Sequence, residues 1–301
     1  MSLISCHNVG KSYGHKRALD QVSFELEAGQ AVALVGPNGA GKTTLFSLLC
    51  GYICPSQGEI HILGHHPGSK ALLGKVAALP QDARLDPNLT IESQLVLFAQ
   101  LQGFNKQAAL VECERVLNLV DLNEIAKHKP LALSHGMSKR VSIAQALIGS
   151  PQLVLLDEPT AGLDPANAKA IRELVRNQSH QTTFVISSHN LDELEKLCDK
   201  VLYLDKGILN QSISIKDNQA AHYLTLTMQE CDTEALMTQL SHWSQVNSIK
   251  SNQHNEFVIR YNLMQDFELE NQLFKLFSSQ GWTYRTLQRG RTLEDKLFSN
   301  E

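Results

Sequence analysis

A glycine-rich segment between a predicted strand and a predicted helix is the feature that most limits the fold. Residues 36–44 have the sequence GPNGAGKTT and follow the apolar run AVALV at 31–35. Five consecutive apolar residues predict a strand covered on both faces, as strands of parallel sheets are. The segment fits the pattern G-x-x-x-x-G-K-[ST], and a helix is predicted over 41–49. The sequence therefore predicts a parallel α/β core whose first crossover begins with a phosphate-binding turn.

The residue types of this turn suit a polyphosphate. Its glycines let successive backbone N–H groups point into one hollow, to which the helix N-terminus adds a partial positive charge. Lys42 is predicted to lie across the β- and γ-phosphates, and Thr43 to offer its hydroxyl to Mg²⁺. The alternative is an ordinary glycine turn with a surface lysine. The candidate nucleotide-binding residues of this segment are Gly36, Pro37, Asn38, Gly39, Ala40, Gly41, Lys42, Thr43 and Thr44.

Two carboxylates follow a second apolar strand. The segment LVLLDEP, residues 153–159, begins with four apolar strand residues, and Asp157 and Glu158 come at the carboxyl end of this strand. Behind a phosphate-binding loop, Asp157 is predicted to address the metal, and Glu158 to face the γ-phosphate and activate water. A simple turn before Pro159 is the alternative for these residues taken alone.

A second glycine-containing helix start lies between these two segments. In LSHGMSKRVSIAQALIGSP, residues 133–151, Ser134 and Gly136 are predicted to precede a helix with an inward apolar face. An exposed helix N-terminus can hold an anion. An ordinary capped helix is the alternative, which nothing in this segment alone excludes.

The order of predicted elements divides the chain. An antiparallel pair is predicted from 3–9 and 22–29, and the stretch from Thr90 to about Ala126 is predicted to be wholly helical. We predict a phosphate-binding α/β domain at 1–213, with a helical insertion at about 86–151, and a small α+β domain at 214–301. The second domain has the order β-α-β-β-α-β of a split βαβ, ferredoxin-like unit. Further strands of the first domain are predicted at 59–63, 76–79, 153–157, 183–187 and 200–204.

Composition excludes several classes of protein. The net charge is -4 and no run of basic residues is present, so we expect no sequence-independent binding to nucleic acid or to an anionic bilayer. The N-terminus does not resemble a secretory signal, and no stretch approaches the ~18 apolar residues of a membrane span. The six scattered cysteines predict reduced thiols and not a zinc site. His61, His65 and His66 follow a strand without an acid or cysteine beside them, which favours solvated imidazoles over metal ligands.

The segments GPNGAGKTT, LSHGMSKR, LVLLDEP, TAGLDP and SSHN, in this order, resemble the nucleotide-binding subunit of ABC transporters over residues 3 to about 212. The resemblance implies an ABC-type P-loop fold, with a mixed sheet, an antiparallel edge and a helical insertion. It matches Tyr13 to an aromatic ring that stacks on adenine, and Gln81 to a glutamine that touches Mg²⁺ and senses the membrane partner. It matches His189 to a histidine that contacts the γ-phosphate, and Asp164 to the loop that crosses the dimer interface.

The resemblance also implies a mechanism. A head-to-tail homodimer would hold each ATP between the loop of one copy and Ser134 and Gly136 of the other, with Glu158 as the general base. Hydrolysis would drive a separate integral membrane subunit, which would keep the chain on the cytoplasmic face of the membrane. His135 and Met137 depart from the usual LSGGQ, and forms ending in GM followed by basic residues resemble those of exporter subunits.

Two further functions stay open at this stage. One is an ABC ATPase that acts on a ribosome or on nucleic acid without a membrane subunit, although such proteins usually have two ATPase domains or a basic surface. The other is a regulatory nucleotide-binding module that rarely turns over, which the presence of Glu158 disfavours. The tail RTLEDKLF at 291–298 resembles the S-L-E-D-x-F ending of some export ATPases, but a terminal helix capped by Thr292 explains the same residues.

Overall fold

The computed structural model describes residues 2–188, 191–214, 223–251, 255–262, 269–292, 295 and 297. Contacts within the chain divide it into two compact units, Met1–Ile215 and Lys216–Glu301. Each unit contains its own cluster of buried apolar side chains. Over the described residues, no helix combines the length and apolar character that crossing a bilayer requires.

The first unit alternates strands and helices after an initial pair of strands. Its strands are β1 (Ile4–Tyr13), β2 (Lys16–Leu26), β3 (Ala31–Val35), β4 (Gln57–Ile62), β5 (Val76–Leu79), β6 (Leu153–Asp157), β7 (Thr183–Ser187), β8 (Lys200–Asp205) and β9 (Ile208–Ser214). Its α-helices are α1 (Lys42–Leu49), α2 (Ile91–Leu101), α3 (Lys106–Leu119), α4 (His135–Ala146), α5 (Pro165–Gln178) and α6 (Leu191–Leu197).

A six-stranded sheet with the order β5-β6-β7-β3-β8-β9 forms the core of this unit. Its first five strands are parallel, and β9 pairs with β8 in the antiparallel direction. Strands β3 and β7 are buried along their whole length, as their apolar sequences predicted. The predicted mixed α/β fold is confirmed. Strand β9 was not predicted, because its polar sequence NQS resembles a connection and only its position at the sheet edge allows it to pair.

The first two strands form the predicted antiparallel pair, with Ile4 opposite Leu26. They belong to a separate three-stranded sheet with the order β2-β1-β4. The strand predicted at 59–63 with the α/β core pairs with β1 instead, with Ile4 opposite Ile62. Its side chains alternate between exposed and buried, which is the pattern of a strand covered on one face.

The helical segment predicted over 90–126 is not continuous. Thr90 caps α2, as predicted, by accepting a hydrogen bond from the Ser93 N–H at 3.2 Å. The chain then turns at Gly103, which has a positive φ of 99°, and restarts at α3. There the Asn105 side chain accepts a hydrogen bond from the Ala108 N–H at 2.9 Å. Asn105 thus marks the start of a second helix, which apolar periodicity alone did not reveal.

A buried ion pair connects α3 to the end of α4. Glu112 is 8% exposed and receives two bonds from the Arg115 guanidinium, at 2.8 and 2.6 Å. The same carboxylate accepts from the Gly149 N–H at 2.7 Å, and Arg115 donates to the Leu147 carbonyl at 2.9 Å. Burial raises the pKa of Glu112, but the bonds from Arg115 and Gly149 outweigh it and hold the pKa below its usual value.

We expect Glu112→Gln to lower the free energy of unfolding by about 1–3 kcal/mol, because it leaves the half-buried Arg115 without its counter-charge. The measurement is urea unfolding at pH 7, with Glu114→Gln, an exposed glutamate of the same helix, as the matched control. Since the folded-state pKa of Glu112 is depressed, this stabilisation is present above the unfolded carboxyl pKa of about 4.3 and is lost as the pH falls below it. Equal stability of both variants at pH 7 would contradict the assignment.

The second unit is a four-stranded antiparallel sheet with two helices. Its elements are β10 (Tyr223–Glu230), α7 (Thr233–Ser241), β11 (Val246–Ser251), β12 (Glu256–Tyr261), α8 (Leu269–Gln280) and β13 (Thr283–Arg289), in the predicted chain order β-α-β-β-α-β. The strands pair in the order β11-β12-β10-β13. Helices α7 and α8 contribute Leu236, Leu240, Leu273 and Phe277 to the buried cluster.

The tail after β13 packs within the second unit. The Arg291 guanidinium bonds to the Asp295 carboxylate and lies 5.3 Å from the centre of the Tyr223 ring. The Asp295 N–H donates to the Thr292 hydroxyl at 3.2 Å, which is the bond of a Thr292 cap. Asp295 is 3% exposed. These contacts give the RTLEDKLF segment a packing role within the second unit.

The cysteines and the clustered histidines have ordinary surroundings. All six cysteines are free thiols, and burial raises the pKa of Cys6 to about 12. The rings of His61 and His66 lie 4.5 Å apart between their centres. In the part of the chain that the structure describes, no group of three or more histidine, cysteine or acidic side chains could hold a metal ion.

Candidate active site

The glycine-rich loop joins β3 to α1 in a space that excludes larger residues at two positions. A Cβ atom on Gly36 would lie 2.0 Å from the Leu204 carbonyl oxygen. One on Gly41 would lie 2.7 Å from the Ala18 carbonyl oxygen, and Gly41 also has a φ of 107°. No side chain caps the start of α1 at this glycine. The helix therefore begins on bare backbone, as an anion-binding N-terminus requires.

Lys42 is held over this loop. Its ammonium group donates hydrogen bonds to the carbonyl oxygens of Gly36 at 2.6 Å and Pro37 at 3.2 Å. Pro37, Asn38 and Gly39 are exposed, whereas Ala40 is 2% exposed and anchors the loop. A flexible, positively charged side chain thus lies at the mouth of an exposed backbone turn, where it can follow a phosphate.

Thr43 and Asp157 line one small cavity between α1 and the carboxyl ends of β5 and β6. Pro80, the residue before Gln81, also lines it. A hydroxyl and a carboxylate are hard oxygen donors of the kind that Mg²⁺ prefers. These two residues therefore have the donor chemistry that a magnesium ion needs, whereas most of the other lining residues of this cavity, such as Phe46, Ala78 and Leu79, are apolar.

The neighbouring strand β7 holds the Asp157 carboxylate and the backbone of Glu158 in place. The Ser187 hydroxyl of β7 bonds to the Asp157 carboxylate, and the Glu158 N–H donates to the Ser187 carbonyl at 3.1 Å. Glu158 has a positive φ of 50°, an uncommon conformation for a residue with a side chain. Such backbone strain is concentrated at functional sites. Ser187 was not identified from the sequence, because only the register of β6 with β7 brings it opposite Asp157.

The second helix start differs from the prediction in one detail. Ser134 is the cap of α4 and accepts a hydrogen bond from the Met137 N–H at 3.2 Å, so Gly136 lies inside the first turn and not before it. Ser134 is exposed, and Gly136 is buried against the Asn167 side chain. A Cβ atom on Gly136 would lie 2.4 Å from the Asn167 Cγ. Close packing on α5 thus explains the glycine.

Asp164 caps α5. Its carboxylate accepts hydrogen bonds from the Ala166 and Asn167 N–H groups, both at 3.0 Å, and from the Asn167 amide at 2.6 Å. The bond from the Asn167 N–H is the main reason that the pKa of Asp164 lies below its usual value. Nearby, the His135 ring lies 3.8 Å from where a Cβ atom of Gly162 would be. The loop 161–164 therefore lies beside the start of α4.

The remaining predicted site residues lie at separate places. Tyr13 ends β1, is 51% exposed and lies with its ring centre 5.4 Å from the Lys11 ammonium. Gln81 is exposed just after β5, and its backbone carbonyl accepts a hydrogen bond from the Lys139 ammonium group. His189 lies outside the described residues. Lys139 was not identified from the sequence, where it resembles any lysine on a helix surface.

The site residues thus form two groups. The first contains the loop with Lys42 and Thr43 and the carboxylates Asp157 and Glu158, all at the carboxyl ends of parallel strands, where ligands of α/β proteins bind. The second contains the starts of α4 and α5, joined through Asn167. The first can hold a nucleotide with its metal, and the second presents an exposed helix start.

Known proteins resemble the first unit in sequence and structure. The family model described as "ABC transporter" matches residues 19–161. The chain is 35% identical over 209 residues to the linearmycin resistance ATP-binding protein LnrL of Bacillus subtilis, covering 68% of this chain and 67% of that protein. It is 36% identical over 207 residues to the Nod factor export ATP-binding protein I of Burkholderia orbicola, covering 68% of each.

Solved structures agree with this. A structure titled as the ATP binding subunit of an ABC transporter superposes with a TM-score of 0.64 at 29% identity, covering 72% of this chain and 92% of that one. A dimeric post-hydrolysis ATP-binding cassette, MJ0796 bound to ADP and Pi, gives a TM-score of 0.63 at 25% identity, covering 70% and 98%. The motifs, the sheet order and these similarities together establish that the chain belongs to the family of ABC transporter ATP-binding proteins.

Proposed function

We propose that the chain is the ATP-hydrolysing subunit of an ABC transporter, which dimerises head to tail and drives a separate membrane subunit. The observation that carries this proposal is the meeting of Thr43 and Asp157 in one cavity beside the Lys42 loop, with Glu158 next to Asp157. A binding module without turnover would have no need of Glu158 at this position. We assign hydrolysis to residues 1–213 and an accessory role to residues 214–301.

Each residue of the first group has a distinct proposed role. The exposed N–H groups of the loop and the Lys42 ammonium bind the phosphates. Thr43, Asp157 and Gln81 hold Mg²⁺, which when bound neutralises charge that develops on the phosphates. Glu158 orients the attacking water and accepts its proton, in a position fixed by the bond of its N–H to Ser187. Tyr13 stacks on the adenine, and His189 contacts the γ-phosphate.

The second group completes the site of a second copy. Ser134 is exposed at the start of α4, which suits the γ-phosphate of a nucleotide held by another molecule. The similarity to a dimeric cassette supports this arrangement. Asp164 lies in the loop that would cross the interface. Because each copy then supplies half of each site, hydrolysis is coupled to closing and opening of the dimer.

The membrane subunit is proposed to dock near Gln81. An apolar groove lies beside β5, the strand that ends two residues before Gln81, and its walls include Tyr52 and Leu73, which are 70% and 69% exposed. Exposed aromatic and aliphatic side chains of this size are typical of protein contact sites. Export is the proposed direction, because relatives are named for export and resistance and because Met137 gives the exporter-like form of the motif. The chain would then lie on the cytoplasmic face of the membrane.

The test combines purification and turnover. We expect the full chain, purified from gently solubilised membranes of its own cells, to carry an integral membrane protein and to release phosphate from MgATP. Leu73→Glu should weaken that association at least about tenfold. The matched control Ile208→Glu, an exposed apolar residue of β9, should not. Sedimentation with ribosomes in place of a membrane protein would favour the non-transport alternative, and absence of phosphate release from the complex would refute the ATPase assignment.

A further inference from the structure

Lys139 joins two elements to which the proposed function gives different tasks. It lies on α4, five residues after the Ser134 cap, and is partly buried. Its ammonium group donates a hydrogen bond to the Gln81 carbonyl oxygen at 3.3 Å. Helix α4 also packs along β5, the strand that leads to Gln81. A charge-assisted bond therefore connects the helix that carries Ser134 to the segment that carries Gln81.

The same ammonium group lies in the field of the catalytic carboxylates. Burial lowers the pKa of Lys139, and the charges of Asp157, Glu158 and Asp82 oppose that shift. The net effect is a pKa below the usual lysine value, so the three carboxylates only partly offset the cost of burying the ammonium group.

We propose that Lys139 is a positioning residue, which ties α4 to the Gln81 segment so that movement of Ser134 on the nucleotide of a second copy is transmitted to Gln81. This inference rests on the proposed function for the direction of the signal. The tie itself is a hydrogen bond within this one chain. A helix can transmit such a movement because its backbone hydrogen bonds hold the roughly one and a half turns between Ser134 and Lys139 as one rigid segment.

The first test needs no ATP. The variants are Lys139→Met, which removes the donor, and Lys139→Arg, which keeps it, with Lys106→Met, an exposed lysine of α3, as the matched control. Hydrogen exchange of residues 80–86 is the readout, because the Ala83 N–H is bonded to the Pro80 carbonyl at 3.2 Å. We expect several-fold faster exchange in Lys139→Met only, with residues 141–147 of α4 unchanged. Exchange equal to that of Lys106→Met would overturn the proposal.

The second test measures turnover by the full chain. Lys139→Met should lower kcat about tenfold, leave KM for ATP within about twofold, and be rescued to within about threefold by Lys139→Arg. Equal losses of kcat in Lys139→Met and Lys139→Arg, or an equal loss in Lys106→Met, would overturn the proposed role of the bond between Lys139 and Gln81. If the Met variant unfolds, Lys139→Gln takes its place under the same criteria. If the wild-type chain itself releases no phosphate, the proposed function fails, whereas the exchange result still decides the tie.

Discussion

Glu158→Gln is expected to lower kcat for ATP hydrolysis by about 10²- to 10⁴-fold, the range that a general base contributes. ATP binding and the ATP-dependent dimer should persist, because the amide keeps the shape of the side chain and the bonds from the residue 158 N–H to the carbonyl and hydroxyl oxygens of Ser187 do not involve the side chain of residue 158. Phosphate release under steady-state conditions measures the first quantity. Gel filtration with MgATP measures the second.

The neighbouring carboxylate supplies the control for this experiment. Asp157→Asn alters the cavity that Asp157 shares with Thr43, so it should raise the Mg²⁺ concentration needed for half-maximal turnover as well as lower turnover. Glu59→Gln, on the exposed face of β4, should change neither quantity. Turnover of Glu158→Gln at the wild-type rate would remove Glu158 from the mechanism.

The sequence predicted best the strands whose consecutive apolar side chains directly indicate burial. Apolar runs such as 31–35 and 153–157 can only be strands covered on both faces, and they are. Strand β4 was assigned to the α/β core because its own sequence does not reveal which strand it pairs with. Strand β9 was missed since its polar sequence pairs only at an edge. Pairing partners depend on the whole sheet, and a single segment does not reveal them.

The site divides in the same way. The residues of the Lys42 loop and the two carboxylates could be proposed from the sequence because their chemistry depends on residue type and on local spacing. Ser187 and Lys139 were missed, since each acts through a bond to a distant segment, at Asp157 and at Gln81. Gly136 shows a further limit: its sequence context indicated an anion site, while its packing on Asn167 gives it a structural reason as well. Contacts between distant segments need coordinates.

Sharing of each site between two copies is best tested by mixing two inactive variants. Lys42→Ala removes the phosphate-binding cation, and Ser134→Asp puts a carboxylate where the γ-phosphate of the second copy is proposed to bind. Aspartate is as good a helix cap as serine, so α4 should remain intact. Each variant alone should lose at least about 10²-fold in kcat/KM, as expected when one preorganised contact to a reacting phosphate is lost or opposed. Ser134→Asn keeps the cap without the charge and should lose much less.

An equal mixture should recover activity, because the two defects fall in the same composite site of a mixed dimer and leave the other site complete. Random pairing makes half of the dimers mixed, each with one of its two sites intact, so independent sites would restore about a quarter of wild-type turnover. A chain that holds its nucleotide alone would give no recovery at any ratio. Recovery well below a quarter, but above that of either variant, would mean that the two sites must close together, which is the behaviour expected of a motor that reopens only after hydrolysis.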